Sequence, residues 1–283
     1  MALSAERLRR EIQDLSNLPT LPGVVQVIVS MVEEENSNVQ KIGDCIARDQ
    51  VLSAKLLRMV NSPFYGFPGR ISSVKHALVL LGFNVVKGLV LSTTVFDALA
   101  QNIRGLWEHS LGVAVLSRRI AKELNVREPD EIMVSGLLHD LGKVVMAYLA
   151  KSDYDAALDV AQLKHCHIVE AEKEIFGYHH AMVAGWVAEY WHLPQRLSDA
   201  ITYHHHPDRA KQSPGTAAIV QLADILARGM GYGNAGDPTM PPIEHKEFRA
   251  LGLSFERIDG ILQGAEQEFF QGVNLFANST APL

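Results

Sequence analysis

The chain has little cysteine and little charge, with two cysteines in 283 residues and 20% Asp, Glu, Lys and Arg. Cys45 and Cys166 stand far apart and in no metal-ligand spacing, which excludes a disulfide framework and a cysteine-rich metal site. Both fit a reducing cytoplasm, where they pack as small apolar groups. The net charge is −6 and no long basic run occurs, so nothing marks a nucleic-acid or anionic-membrane surface. No apolar stretch is expected to reach the length of a membrane span. The opening "MALSAERLRREIQDL" is amphipathic and charged, unlike a secretory leader, and a cytoplasmic setting is expected. A Gly-rich phosphate loop is missing, as is any nucleophilic Ser or Cys arrangement. Strand-like alternation bounded by turn signals is nearly absent too.

What the chain does have is helical periodicity and a hydrophobic content of 47%, enough for a sizeable core. The expected class is all-α. "LPGVVQVIVSMVEEE" predicts a helix by its length, and "NSNVQKIGDCIARDQ" a second one capped by Ser37. "VLSAKLLRMVNSPFYG" predicts a third, stopped by Pro63. "ISSVKHALVLLGFNVVKGLVLSTTVFDAL" predicts a Ser-capped pair divided near Gly82. Further helices are expected over Leu106–Leu124, Asp130–Leu149, Asp153–Lys164, Ile168–Phe176, His180–Trp191, Pro194–Tyr203 and Thr216–Arg228. A Gly/Pro-rich loop then leads to a last helix from Phe255 to Val273, capped by Ser254.

Histidine is unevenly spread. Ten of the twelve lie between His109 and His206, and the first hundred residues hold only His76. Two helical lobes are therefore expected, over 1–100 and 101–230, with 231–283 as a loop and a C-terminal helix packing on the bundle. "GLLHDLGKVV" reads as the middle of an apolar helix, yet it carries His139, Asp140 and Lys143 in one turn. A buried carboxylate needs a partner, because an isolated buried charge is very costly. A divalent cation is one such partner, and other helices supply further donors: His109, His179 and His180, "HHH" at His204, His205 and His206, and Asp224. Imidazoles joined by carboxylates on several helices are how bundle cores hold metals. Each residue also has a plain reading. His109 fits as a core histidine, Asp140 as a partner of Lys143, Asp224 as a partner of Arg228 and "HHH" as an exposed helix end. It is their joint occurrence that favours a site. His76, His165, His167, His192 and His245 lack such company and read as structural or surface residues, with His179 and His206 outside the first ring of donors.

The order His109, His139-Asp140, Asp224 resembles the H…HD…D pattern of the HD superfamily of metal-dependent phosphohydrolases. "LPTLPGVVQVI", "IARDQVLSAKLLRMVNSPFYG", "ISSVKHALVLLG", "FGYHHAMVAGWVAEYWHLP" and "AITYHHHP" resemble the HDOD domain, a bacterial signalling relative, over about Leu15 to Arg228. "RDQVL" departs from the pattern, in which a proline usually follows the aspartate. The resemblance implies a two-lobed helical bundle. It implies one metal at His109, His139, Asp140 and Asp224, and a second sharing Asp140 with His180, His204 and His205, as in the cyclic-di-GMP phosphodiesterase branch. It also implies that Asp140 and Lys143 carry the chemistry, with Lys143 meeting a phosphate. The expected cofactor is one or two divalent ions, iron or manganese ahead of zinc. "PDRAKQSPGT" follows "HHH" and lacks a "GYP"-type signature. The function expected is therefore a signalling module that acts mainly through a protein partner, using the aromatics of "NSPFYGFPG". The alternatives are a phosphohydrolase acting on a nucleotide and a metal-free scaffold.

Overall fold

The computed structural model describes residues 3–14, 39–61, 71–99, 103–241 and 251–277. The helix expected over "LPGVVQVIVSMVEEE", the Ser37 cap, Pro63, Phe64, Tyr65 and His245 lie outside these residues. All regular structure among the described residues is helical. The first lobe contains α1 (Ala5–Asp14), α2 (Val39–Arg48), α3 (Gln50–Val60), α4 (Val74–Leu81) and α5 (Phe83–Leu99). The second contains α6 (Leu106–Glu123), α7 (Pro129–Leu138), α8 (Leu141–Leu149), α9 (Lys151–Lys164), α10 (Ile168–Phe176), α11 (His180–Tyr190), α12 (Gln195–Tyr203) and α13 (Pro214–Gly229). A 3-10 turn, Pro207–Arg209, precedes α13, and α14 (Phe255–Ala277) packs on α6.

Local chemistry sets many of the ends. Asp49 caps α3 by accepting from the Leu52 amide at 3.0 Å, and Ser73 caps α4 by accepting from the His76 amide at 3.1 Å. Gly82, at φ +80°, divides α4 from α5 where the sequence placed the boundary. Asn61 closes the end of α3. Its amide donates to the Leu57 and Ile71 carbonyls, and its oxygen accepts from the Ile71 amide at 2.6 Å.

One hydrophobic core runs from Leu8 to Phe269 without a break between lobes. In the first lobe α2 through α5 pack on one another, and α5 meets α7 and α8 of the second. Lys87 spans this junction. Its ammonium is buried and donates to the Trp191 and His192 carbonyls at 2.7 and 3.1 Å, at the C-terminal end of α11, where a cation is favoured. In the second lobe α6 is central, contacting α7, α13 and α14. Helix α1 packs on α11, so the beginning of the chain reaches the second lobe.

Two expectations change. The helix expected over Asp130–Leu149 is broken into α7 and α8 at His139-Asp140, where the Asp140 backbone leaves the helical region at φ −95°, ψ 11°. Apolar periodicity continues through this turn, so the pattern gave no sign of the break. The same stretch, Pro129–Leu149, is 21 residues long and apolar enough for a membrane span by composition, contrary to the sequence expectation, but 89% of the apolar window is buried inside the fold.

Candidate metal centre

The break between α7 and α8 turns His139 and Asp140 toward the N-terminus of α11 and the C-terminal ends of α12 and α13. Close approach makes this possible. A Cβ on Gly142 would stand 1.9 Å from the His180 carbonyl oxygen, so only glycine lets α11 sit so tightly on α8. His204 and His205 follow directly after α12, and Asp224 comes from α13. His109 lies in the first turn of α6.

The seven candidate donors all meet. His109 Nε2 lies 3.0 Å from Asp224 Oδ1 and 3.8 Å from Asp140 Oδ2. His139 Nε2 is 3.2 Å from Asp140 Oδ2, and His180 Nε2 is 3.2 Å from Asp140 Oδ1. The Nε2 atoms of His180 and His205 are 2.9 Å apart. Donor atoms within 4.8 Å of one another form three overlapping groups: His109–His139–Asp224, His139–Asp140–His204 and His180–His204–His205. Apart from the partly buried His205, every one of these residues is at most 2% exposed.

Hydrogen bonds on the far side of each ring aim the near side inward. His139 Nδ1 is 2.7 Å from the Gly136 carbonyl oxygen, and His204 Nδ1 is 2.7 Å from that of Ile201. A carbonyl only accepts, so each Nδ1 carries the hydrogen and each Nε2 keeps its lone pair. His180 Nδ1 lies 2.7 Å from Glu172 Oε2, an acid–histidine contact of the kind that orients metal ligands. Glu172 also accepts from the His180 amide at 2.8 Å. Burial pushes the imidazolium form of His204 down to about 3 and holds His180 and His205 well below the usual range, so all three are neutral near pH 7. Burial likewise pushes Glu172 up to about 8.

The Nε2 atoms of His109, His139 and His204 and Asp140 Oδ1 are buried with no hydrogen-bond partner, although other donor atoms stand close by. At roughly 1–3 kcal/mol for each buried polar atom left unpaired, this is a large cost to keep at one point. A cation removes it by taking the lone pairs, and the imidazole–carboxylate set suits a divalent transition ion. The 2.9 Å between two Nε2 atoms is also near the roughly 3 Å expected of neighbouring ligands on one ion.

Two buried cations brace the carboxylates. Lys143, wholly buried, donates to Asp140 Oδ2 and to the Ala235 carbonyl, both at 2.7 Å. Arg228 meets Asp224 Oδ1 at 2.9 Å and Asp237 Oδ2 at 3.1 Å. Burial opposes ionisation of both aspartates, but the Lys143 ammonium beside Asp140 and the Arg228 guanidinium beside Asp224 counter it, so both carboxyls stay well below their usual range. Without a phosphate present, the Lys143 ammonium is engaged by Asp140 and by the loop that carries Ala235. The plain readings of Asp140 and Asp224, as partners of Lys143 and Arg228, hold together with the clustering.

Sequence reasoning missed Glu172, Asp237 and the role of His167. Glu172 sits four residues after Ile168 on the buried stripe of α10, an acid where the pattern calls for an apolar residue. His167 caps α10, and its ring packs edge-on against His205 at 5.0 Å. His179 is buried beside His180 with Nδ1 unpaired and lines a separate groove of about 750 Å³ between α11 and α12, together with Trp186, Tyr203, His206 and Arg209. None of the seven candidate donors lines that groove.

An all-helical bundle with a buried histidine–aspartate cluster at a helix break defines an HD-type helical domain. The HDOD domain family matches residues 18–207, and the chain belongs to that family. An HDOD domain protein of unknown function from Geobacter sulfurreducens is similar over 96% of both chains, at 25% identity and a TM-score of 0.69. A protein of Shewanella amazonensis SB2B, named as a candidate phosphohydrolase, shares the fold at 23% identity and a TM-score of 0.67, over 95% of this chain and 97% of its own. Among curated proteins, an uncharacterised protein of Treponema pallidum is 22% identical over 74% of this chain and 42% of its own length. The uncharacterised protein YuxH of Bacillus subtilis is 25% identical over 52% of this chain and 39% of its own. The chain thus spans about two-fifths of the length of these curated relatives.

Proposed function

We propose that this chain is an HDOD signalling module that keeps an HD-type metal centre and acts mainly through contact with a protein partner. His109, His139, Asp140, His180, His204, His205 and Asp224 would hold one or two divalent ions, iron or manganese ahead of zinc. The observation that carries the reading is enclosure. Seven donors from several helices are more than one ion needs if a position is to stay free for substrate. Here the donors are buried, Lys143 is engaged, and the groove between α11 and α12 is lined by none of them. Such a centre would fix the junction of α8, α11, α12 and α13 and so set the shape that a partner reads.

The second reading is hydrolysis of a nucleotide phosphodiester, favoured by the partial exposure of His205. A bound divalent ion would polarise a phosphoryl oxygen and lower the pKa of a water. For that chemistry this chain contributes Asp140, which reaches toward both groups of histidines, and Lys143, which would first have to leave Ala235.

Metal analysis of anaerobically purified protein tests the centre. The expected content is one to two ions per chain, with clear loss in His139→Ala; a wild-type chain that stays metal-free after reconstitution with Fe(II), Mn(II) or Zn(II) sinks the reading. Turnover of cyclic dinucleotides separates the two functions. Little or none is expected from the metal-loaded protein, and rapid metal-dependent cleavage lost in Asp140→Ala would reverse the order.

A further inference from the structure

The groove between α11 and α12 lies outside the metal centre and has a chemistry of its own. Its volume of about 750 Å³ falls within the roughly 300–1,000 Å³ of small-molecule sites. Its floor is where Gly185 lets the two helices touch; a Cβ there would stand 2.5 Å from Thr202 Oγ1. The two ends differ. At one end His179 stands as the N-cap of α11, and Arg209 arrives from the 3-10 turn after α12. His179 makes no capping bond, is 7% exposed, and keeps Nδ1 buried with no hydrogen-bond partner. Arg209 is exposed and has no ion-pair partner among the described residues. Burial is the main reason the His179 ring stays neutral, and the nearby Lys173, His206 and Arg209 act in the same sense, so this end is electropositive. The lining carboxylates do not cancel it. Asp199 already accepts from Gln195 and from the Gln212 and Ser213 amides, and Glu189 stands at the other end, about 15 Å along α11 from His179.

Trp186, half-buried, lines the groove about 10 Å along α11 from His179, and Tyr203 flanks the electropositive end. The Arg9 guanidinium lies over the Trp186 ring at 4.5 Å and holds it in place. A docked helix would need a row of apolar pockets for anchors at i, i+3, i+4 and i+7 spacing. This groove sets Gln195, Ser198 and Thr202 among its rings and offers no such row. A guanidinium forks onto phosphate oxygens, and planar rings stack on aromatic side chains. We propose that the groove is a ligand site separate from the metal centre, taking a phosphate-bearing ring compound of mononucleotide size. The phosphate lies between Arg209 and His179, and the ring lies against Trp186. The site abuts the metal centre without sharing its donors: the His179 ring is 6.1 Å from that of His180 and 6.4 Å from that of His205.

The test is calorimetric titration of the metal-stripped whole chain with GMP, AMP, CMP and UMP, and separately with inorganic phosphate and the matching nucleosides. At least one nucleotide should bind, about tenfold or more tighter than phosphate or its nucleoside alone. Arg209→Gln and Trp186→Leu should each weaken that binding by about tenfold or more, the size of one charged hydrogen bond or one stacked ring. His139→Ala, in the metal centre, should bind the nucleotide as wild type does. Circular dichroism checks that each variant is folded, and if Trp186→Leu does not fold, the exposed Arg209 decides. The proposal is overturned if no nucleotide binds, if phosphate alone binds as tightly, or if Arg209→Gln leaves the affinity unchanged. Loss of binding in His139→Ala also overturns it, by placing the nucleotide at the metal centre. Because the titrated protein carries no metal, each of these failures leaves the metal content of the native protein, and so the metal-centre reading, untouched.

Discussion

The two lobes follow the same packing rules with different interiors. Among the described residues of α2 to α5, the buried polar side chains are Lys87 and Ser92. The second lobe buries His109, His139, Asp140, Lys143, Glu172, His180, His204 and Asp224 around one point. An apolar interior needs only shape and area to be stable. An ionic interior needs a partner for every charge, and a network left half-satisfied is worse than none. Among the described residues the first lobe thus has an almost wholly apolar interior, while the second gathers buried charges and imidazoles at one point.

Three experiments press on that contrast. The largest stability effect is expected in the first lobe. Leu56→Ala, deep in α3, should lower the unfolding free energy by about 2–5 kcal/mol in chemical denaturation, with metal content per folded chain unchanged. Metal loss in that variant would show that the lobes are not separable in this way. Gly142→Ala comes next. The added methyl meets the His180 carbonyl, so a cost of about 1–3 kcal/mol is expected, but here metal is lost as well because His180 must move. The smallest effect concerns Lys87, whose ammonium burial pushes down to about 8. The unfolded chain holds this proton up to the ordinary lysine value of 10.5, so between pH 8 and 10.5 it binds more protons than the folded one. The contribution of Lys87 to stability should therefore rise through that window and be weakest below pH 8. Denaturation at several pH values, referenced to Lys87→Met, reads this directly; a difference that stays flat from pH 7.5 to 10.5 would remove the effect.

Much of this was legible in the sequence, and the reasons are local. Helix α10 spans the expected Ile168–Phe176, and the α4–α5 boundary falls at Gly82. The donors were legible because an imidazole or carboxylate inside an apolar helix is conspicuous by itself. What could not be read depends on distant chain. The break at His139-Asp140 lies in unbroken apolar pattern, and the engagement of Lys143 by Ala235 spans 92 residues. Glu172 is conspicuous only once the stripe of α10 is known to face inward. The resemblance supplied the grouping of donors, and the pairings of Asp140 with Lys143 and Asp224 with Arg228 were legible from their helical spacing.

The placement of α1 has a mechanical meaning. The Tyr178 hydroxyl donates to the Leu3 carbonyl at 2.8 Å, and the Arg9 guanidinium lies over the Trp186 ring at 4.5 Å. The polypeptide is thereby moored to α11 near its beginning and again at that helix's far end through Lys87. The described helices α2 to α4 lie between these two moorings along the chain. A change that shifts α11 would pull on both attachments at once, so motion begun at His180 would reach the first lobe from two directions.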